Sequence, residues 1–133
     1  MRVSEQKNLC LYRIETAKDN LKAAKILFDA KEYKSANNWA YYAIFQALNV
    51  VHALDGNAYK RHKDAIANFN KTYVKNEIFP REIGRKIGEA EEIRHASDYD
   101  DFYIASMEET ERQISSASEL ICLVESYCRE RIE

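Results

Sequence analysis

The chain has 133 residues, a formal net charge of −2, 46% hydrophobic residues and 32% charged residues. This size and balance exclude a disordered chain, and we expect residues 1–133 to form a single domain. The net charge also argues against a general DNA-binding protein, because phosphate neutralisation needs clustered Lys and Arg.

The spacing of apolar residues predicts two long helices in the first half of the chain. The first covers about residues 5–30, where a stripe at steps of four and three runs from Cys10 to Phe28. The second covers about residues 34–54 and is apolar around much of its circumference, so we expect it to be central. The Gly56 turn ends it.

Three more helices are predicted in the second half. The third covers about residues 61–75, and the fourth covers about 80–96 and is followed by an acidic, aromatic loop over 97–103. Ser106 and Glu109 form a capping-box pattern at the start of the fifth helix, which continues to about residue 129. We therefore predict an all-α fold, an up-and-down bundle of four to five helices.

A line of polar residues follows one face of the second predicted helix. It consists of Asn38, Tyr42, Gln46 and Asn49, with His52 near its end, at steps of four, four, three and three. Because buried polar groups need partners, the line predicts one of two things. It is either a hydrogen-bonded seam against a neighbouring helix or subunit, or the wall of a polar cleft.

Two segments carry charge in patterns that allow more than one interpretation. The run from Lys60 to Lys63 is either a solvated helix start or an anion-binding site, since positive charge there opposes the helix dipole. At the end of the fourth helix, Arg94 and His95 together can grip a phosphate and move a proton. Alternatively, Arg94 pairs with Asp98 and caps the helix C-terminus.

The three cysteines, Cys10, Cys122 and Cys128, form no CxxC pair, and we interpret them as reduced thiols. No apolar run approaches the ~20 residues that a membrane span needs. We therefore expect a cytoplasmic protein that makes no membrane contact and uses no metal ion or other cofactor.

The order of these segments resembles the HEPN family of small prokaryotic helical proteins, in particular its short stand-alone branch. The resemblance rests on the run from Asn38 to Ala47, on His62, and on the segment from Arg94 to Asp100, which is similar to the branch motif R-x-x-A-D-Y-D. The branch reads N-R-A-Y-Y-A-x-F-H-A on its second helix. Here Trp39 stands in place of the usual Arg and Gln46 in place of the usual His.

The resemblance implies a helical bundle that forms a homodimer and whose common genomic companion is a minimal nucleotidyltransferase antitoxin. Active members are metal-independent endoribonucleases with an R-x(4–6)-H motif in a cleft shared by two subunits. Arg94 matches the motif arginine and would hold the scissile phosphate. Tyr99 stands at the four-residue spacing in place of the motif His, so that His62 or His95 would substitute if the fold brings one of them to Arg94.

The candidate catalytic residues are therefore Arg94, Tyr99, His62 and His95, and the candidate binding residues are Asn38, Tyr42, Gln46 and Asp98. One hypothesis is a toxin–antitoxin or RNA-processing protein that binds RNA and cleaves it at a dimer cleft. Another is a non-catalytic module that dimerises, partners the nucleotidyltransferase and binds a nucleotide. A third is a small-molecule or metal enzyme unrelated to RNA. A dimer is also indicated by four aromatic residues of the second helix, since aromatic side chains are enriched at interfaces. They are Trp39, Tyr41, Tyr42 and Phe45.

Overall fold

The computed structural model describes the backbone of residues 3–132 and the side chains of residues 5–131. These residues form five α-helices and no β-strand, which confirms the predicted all-α bundle. The helices are α1 (Val3–Asp29), α2 (Tyr33–Leu54), α3 (His62–Phe69), α4 (Arg81–Tyr99) and α5 (Met107–Ile132), and a π-helical turn (Asn70–Val74) continues α3. None of the helices in the described part of the chain is both long and apolar enough to cross a membrane.

The central helix is α2, as its apolar circumference predicts. It packs most extensively against α1 and α5, and it also contacts α3 and α4. Its small side chains at Ala36, Ala40 and Ala43 are fully buried, which lets the neighbouring helices approach closely. Burial of each larger side chain such as Leu48 contributes about 1.5–3 kcal/mol to the stability of this core.

The turn after α2 is tied to two other elements through one carboxylate. Gly56 has a φ of 81°, a left-handed conformation that glycine adopts without strain. Next to it, Asp55 accepts hydrogen bonds from the hydroxyl of Tyr73 and, at 3.4 Å, from the hydroxyl of Tyr127. The α2–α3 turn is therefore fixed both to the π-helical turn and to α5.

The helix boundaries differ from the predicted ones by a few residues, and two of these differences change the type of structure that a segment forms. The third helix is not uniform to residue 75, because the wider π-helical turn begins at Asn70. The fourth helix does not end at about residue 96 but continues to Tyr99, so the first part of the predicted loop is helical. Contacts one turn apart extend it, with Arg94 paired to Asp98 and the ring of His95 against that of Tyr99.

The face of α4 next to α5 is fixed by two ion pairs to α5. The Lys86 ammonium lies 2.5 Å from the Glu119 carboxylate, and the Arg112 guanidinium lies 2.8 Å from the Glu89 carboxylate. Partly exposed pairs contribute little to stability, but they set the rotation of the helix about its axis. The remaining polar face of α4, which carries Arg94, is thereby turned toward α2 and α3.

The segment between α4 and α5 is anchored at its centre. Ser106 accepts a hydrogen bond from the backbone N–H of Glu109 at 3.1 Å, which confirms the predicted cap of the fifth helix. The Glu109 side chain does not complete the capping box. It accepts a hydrogen bond from the hydroxyl of Tyr103 instead, and the buried amide of Asn37 donates to both groups.

Candidate functional site

Arg94 lies on α4 with its guanidinium against two aromatic rings of α2. The guanidinium carbon is 4.7 Å from the ring centroid of Tyr41 and 4.7 Å from that of Tyr42. Its Nε atom is 3.5 Å from a carboxylate oxygen of Asp98. Among the described residues, the buried Nη1 atom has no hydrogen-bond partner. The guanidinium is thus held against the two rings, while the side chain, which is 28% exposed, lines a groove.

His62 begins α3 and contacts the same part of α2. Its ring stacks on Phe45 with centroids 3.7 Å apart, and its Nδ1 atom is 3.2 Å from the hydroxyl oxygen of Tyr41. Partial burial lowers the pKa of His62, and the positive charge of Arg94 lowers it further. The imidazole is therefore neutral at neutral pH, which is the form that accepts a proton.

Tyr41 connects Arg94 to His62. Its side chain is 4% exposed, and it contacts the Arg94 guanidinium through its ring and the His62 imidazole through its hydroxyl. Burial raises the pKa of Tyr41 to about 12. The positive charge of Arg94 lowers this pKa and the negative charge of Glu91 raises it, but both effects are smaller than that of burial. The hydroxyl therefore stays protonated and acts as a fixed hydrogen-bonding group.

These residues surround an open groove with a volume of about 510 Å³ between α2, α3 and α4. It is lined by Tyr41, His62, Lys63, Glu91, Arg94, His95, Asp98 and Tyr99. All four candidate catalytic residues are in this set, and so is the candidate binding residue Asp98. We refer to these eight residues as the Arg94 groove.

The other candidate binding residues are less closely associated with the Arg94 groove. Tyr42 contacts Arg94 from the side but does not line the groove. Asn38 and Gln46 are half-buried on the same face of α2, and neither lines the groove. The polar line of α2 therefore meets the groove only at Tyr42.

His52, at the end of the second helix, has a structural role. It is 1% exposed, and its Nε2 atom is 2.9 Å from the carbonyl oxygen of Ala65, which links α2 to α3. Burial lowers the pKa of His52, against the raising effects of the Ala65 carbonyl and of Asp55. The imidazole is a neutral core group away from the Arg94 groove.

The aromatic residues expected at a dimer interface divide into two groups. Tyr41 and Phe45 are 4% and 8% exposed within the chain itself, so they are not free for a partner, contrary to the interpretation from the sequence. Trp39 remains exposed. Beyond Trp39, apolar side chains are exposed in the segment that ends α4 and leads to α5. They are Tyr99, Phe102, Ile104 and Met107, and we call them the 99–107 apolar segment.

Three groove residues are not identified by the sequence pattern. Tyr41 belongs to the apolar stripe of α2, and only the packing of α4 shows that its ring supports Arg94. Lys63 belongs to a basic run that the sequence does not connect to Arg94. Glu91 lies three residues before Arg94 and seven before Asp98, a helical spacing that places it on the same face and could have revealed it.

The groove is not a preformed metal site by its ligand geometry. Within residues 3–132 there is no group of three or more His, Cys, Asp or Glu side chains close enough to hold a metal ion. The chemistry that the groove residues offer is cationic binding by Arg94 and Lys63 and proton transfer by His62 and His95.

Known proteins are similar to this chain over much of its length. One relative, from Methanocaldococcus jannaschii, is named "putative toxin" and is 40% identical over 87 residues, which cover 65% of this chain and 64% of the relative. The match therefore spans less than two thirds of that protein. A UPF0332 protein of Thermotoga maritima is 28% identical over 97 residues, which cover 73% of this chain and 74% of the relative.

The fold is also found in a solved structure, the crystal structure of TT1696 from Thermus thermophilus. The two chains superpose with a TM-score of 0.73 at 20% sequence identity, covering 88% of this chain and 96% of the other. At this identity, the likeness shows the fold alone. The family model described as HEPN domain matches residues 11–127, from α1 to α5. With its five helices and its Arg94 segment inside that match, the chain belongs to the HEPN domain family.

Proposed function

We propose that this protein is a HEPN-type toxin that binds single-stranded RNA in the Arg94 groove and cleaves it without a metal ion. The observation that carries the proposal is the position of Arg94, whose guanidinium lies 4.7 Å from two tyrosine rings in a groove that also contains two imidazoles. The name of the Methanocaldococcus jannaschii relative supports the toxin role.

Arg94 holds the scissile phosphate in this proposal. A guanidinium matches the geometry of two phosphate oxygens, and a cation in a partly desolvated groove stabilises the charge that develops on phosphorus. The contact with Asp98 at 3.5 Å is longer than a strong charge-assisted hydrogen bond, so phosphate can replace it. Lys63, which also lines the groove, adds a second positive charge.

The two imidazoles move the protons of a transesterification. His62 accepts the proton of the ribose 2′-hydroxyl at Nε2 while Nδ1–H donates to the Tyr41 hydroxyl oxygen. The 2′-oxygen forms a bond to phosphorus, and the bond from phosphorus to the 5′-oxygen breaks. His95 gives a proton to that leaving oxygen. The products are a 2′,3′-cyclic phosphate and a free 5′-hydroxyl, and no other reactant is consumed.

The remaining candidate residues position the RNA. Tyr99 is 76% exposed beside His95, with ring centroids 4.8 Å apart, so its free face can stack on a nucleobase. Tyr42 keeps the Arg94 guanidinium in place, and Asp98 holds it until phosphate binds. Asn38 and Gln46 extend the polar surface of α2 beyond the groove and offer amide groups to the RNA backbone.

The test is cleavage of single-stranded RNA by the purified protein in the presence of EDTA. We expect cleavage to persist in EDTA, to stop when the substrate carries 2′-O-methyl groups, and to leave cyclic phosphate ends. Arg94→Ala is expected to slow the reaction by about 100-fold or more, and His62→Ala by a similar factor.

Arg85→Ala is the matched control. Arg85 is on the same helix, is exposed and pairs with Glu82 at 3.3 Å, outside the Arg94 groove. Its replacement is expected to leave the rate unchanged. Cleavage that survives Arg94→Ala at the wild-type rate would remove Arg94 from the mechanism and overturn the proposal.

The proposed active form is a homodimer. The 99–107 apolar segment borders the groove through Tyr99, and Phe102 and Ile104 are 91% and 86% exposed. Exposed apolar residues grouped in one segment are typical of interaction surfaces. A second copy bound there would cover these side chains and close the groove on one side, which would exclude water from the bound phosphate.

A second candidate function is the non-catalytic module that docks a minimal nucleotidyltransferase. The same exposed segment favours it, because a protein partner would also cover Phe102 and Ile104. Coexpression with a nucleotidyltransferase encoded beside this gene tests it. A stable complex, together with RNA binding but no cleavage by the wild-type protein, would support this candidate and contradict the ribonuclease proposal.

A further inference from the structure

Glu91 is a half-buried carboxylate that lines the Arg94 groove and takes no part in the proposed cleavage. It lies on α4 one turn before Arg94 and lines the groove beside Tyr41. Within the described side chains, no ion pair or hydrogen bond to Glu91 is formed, whereas Asp98 is paired with Arg94. The negative charge of Glu91 raises the pKa of the Tyr41 hydroxyl, whereas the positive charge of Arg94 lowers it.

An unpaired carboxylate next to a phosphate-binding arginine has a specific consequence for the ligand. It repels phosphate, so the phosphates of a bound RNA contact the cations Arg94 and Lys63 of the groove rather than Glu91. A carboxylate also accepts hydrogen bonds without donating any. The group that faces Glu91 must therefore be an uncharged or cationic donor, and the donors that RNA offers away from its backbone are the edges of its bases.

We propose that Glu91 selects guanine, so that the Arg94 groove binds single-stranded RNA at guanosine. This inference rests on the RNA-binding function proposed above. Guanine carries two adjacent donors on its Watson–Crick edge, N1–H and N2–H, and both oxygens of a carboxylate can accept from them. Adenine and cytosine place an acceptor beside their amino group, and uracil places its single N–H between two carbonyls.

The spacing along α4 suits this arrangement. Residues three apart on a helix are neighbours, with Cβ atoms about 5–6 Å apart, so a phosphate at Arg94 and a base edge at Glu91 belong to the same nucleotide or to adjacent ones. Tyr99 lies on the other side of Arg94, where it can stack on the next base of the strand. Only an unpaired strand exposes the Watson–Crick edge, so duplex RNA is excluded.

The experiment measures, by fluorescence anisotropy, the binding of short single-stranded oligouridines that carry one central guanosine, inosine or adenosine. All riboses carry 2′-O-methyl groups, which block the proposed cleavage. Inosine lacks the N2 amino group, so it tests one of the two hydrogen bonds. The wild-type protein is expected to bind the guanosine oligomer at least about fivefold more tightly than the adenosine oligomer, with inosine between them. Glu91→Gln keeps the size of the side chain but offers one acceptor and one donor. In this variant the ratio of the guanosine affinity to the adenosine affinity is expected to fall to about one.

Glu92→Gln is the matched control. Glu92 is the adjacent residue, is exposed and does not line the groove. It loses the same charge, so a general electrostatic effect would appear in both variants, whereas the base preference should change only in Glu91→Gln. The ratio between oligomers also separates base selection from an overall change in affinity.

The possible results distinguish the inference from the function on which it rests. Oligomers bound without preference for guanosine, or a preference that survives Glu91→Gln, would overturn the role of Glu91 and leave RNA binding intact. If the wild-type protein binds none of the oligomers at micromolar concentration, the proposed function itself fails. A guanosine preference that Glu91→Gln removes and Glu92→Gln keeps supports both.

Discussion

The protonation of His62 depends on two neighbours that are distant in the sequence. Its ring stacks on Phe45, which disfavours the imidazolium by removing water, and Arg94 disfavours it by charge repulsion. Both effects act in the same direction. The folded protein therefore holds this histidine ready to accept a proton at pH values where a free imidazole would be partly charged.

We expect the titration midpoint of His62, measured by NMR, to lie below the ordinary histidine value of about 6.5. Arg94→Gln removes the positive charge, so the midpoint should rise toward that value. Arg85→Gln, on an exposed turn of the same helix, should leave it unchanged. A midpoint that does not move in Arg94→Gln would mean that the two side chains are not coupled in solution.

At the scale of single residues, the sequence identifies the candidate site residues but not the residues that hold them in position. The Arg94 segment and His62 resemble a family motif in the sequence, and the structure places them on one groove. Tyr41 is not visible as a site residue, because an apolar stripe predicts only that it is buried. Whether a buried ring faces a leucine or a guanidinium depends on which helix packs over it, and local spacing does not contain that information.

At the scale of elements, α4 contains two glycines with different surroundings. A Cβ atom added at Gly84 would lie 3.0 Å from a side-chain methyl of Val74 in the π-helical turn, whereas none of the described atoms lies within 4 Å at Gly88. Gly84 therefore permits the close approach of α4 to the π-helical turn, and Gly88 has no such role.

The two positions should respond differently to alanine. Gly88→Ala is expected to raise the free energy of unfolding by about 1 kcal/mol, because alanine favours the helix and reduces the freedom of the unfolded chain. Gly84→Ala should gain less or lose stability, since Val74 must move. Denaturant unfolding of both variants measures the difference. Equal stabilisation would show that the contact between α4 and the π-helical turn is not tight.

The link between α2 and α3 predicts a dependence of stability on pH. Because burial lowers the pKa of His52 in the folded state, the unfolded chain takes up a proton first as the pH falls. Stability from this residue is complete above about pH 6.5 and is lost as the pH falls below that value toward the folded pKa. His62 adds a change of the same sign.

The measurement is the free energy of unfolding between about pH 7.5 and pH 5. His52→Gln keeps an amide that can donate to the Ala65 carbonyl but does not titrate, so the variant should show a shallower loss of stability than the wild type. If the two curves have the same slope in this range, His52 is not protonated differently in the folded and unfolded states.

The two boundary differences show what periodicity misses at the scale of elements. The end of α4 is extended by contacts one turn apart, Arg94 with Asp98 and His95 with Tyr99, in a stretch that its acidic residues suggest to be a loop. The π-helical turn accompanies the hydrogen bond from Tyr73 to Asp55. Both depend on specific partners, whereas the helical stripes depend only on the alternation of apolar and polar residues.

At the scale of the whole molecule, four large exposed apolar side chains lie in the 99–107 apolar segment, which borders the groove through Tyr99. We expect the wild-type protein to be a dimer at micromolar concentration, as measured by light scattering after size-exclusion chromatography. The double variant Phe102→Asp, Ile104→Asp should be a monomer, because charged groups in place of these exposed side chains would have to be buried at the interface.

Ile26→Asp is the control for this change. Ile26 is 59% exposed on α1, outside the groove and outside the 99–107 apolar segment, so the variant should remain dimeric. A wild-type monomer would contradict the dimer proposal, and so would a dimer that the double variant does not dissociate.

The overall architecture can be predicted from the sequence more completely than the interaction surface of the protein can. The five helices and the central place of α2 can be predicted because apolar stripes determine which face of each helix is buried. The interface cannot be predicted in the same way. Tyr41 and Phe45 look like candidates for a partner until the packing of α3 and α4 is known, and the structure shows that they are already covered.

The two tyrosine rings that contact Arg94 also determine how ordered its side chain is before a ligand binds. A free arginine side chain samples many rotamers, and immobilising such a side chain on binding costs about 0.5–1.5 kcal/mol. Here the guanidinium is restricted during folding by its contacts with Tyr41, Tyr42 and Asp98. Its conformational entropy is therefore lost before the ligand binds. A lysine at the same position would carry the same charge but would lack the planar group that these rings hold, and it would meet the ligand as a mobile chain.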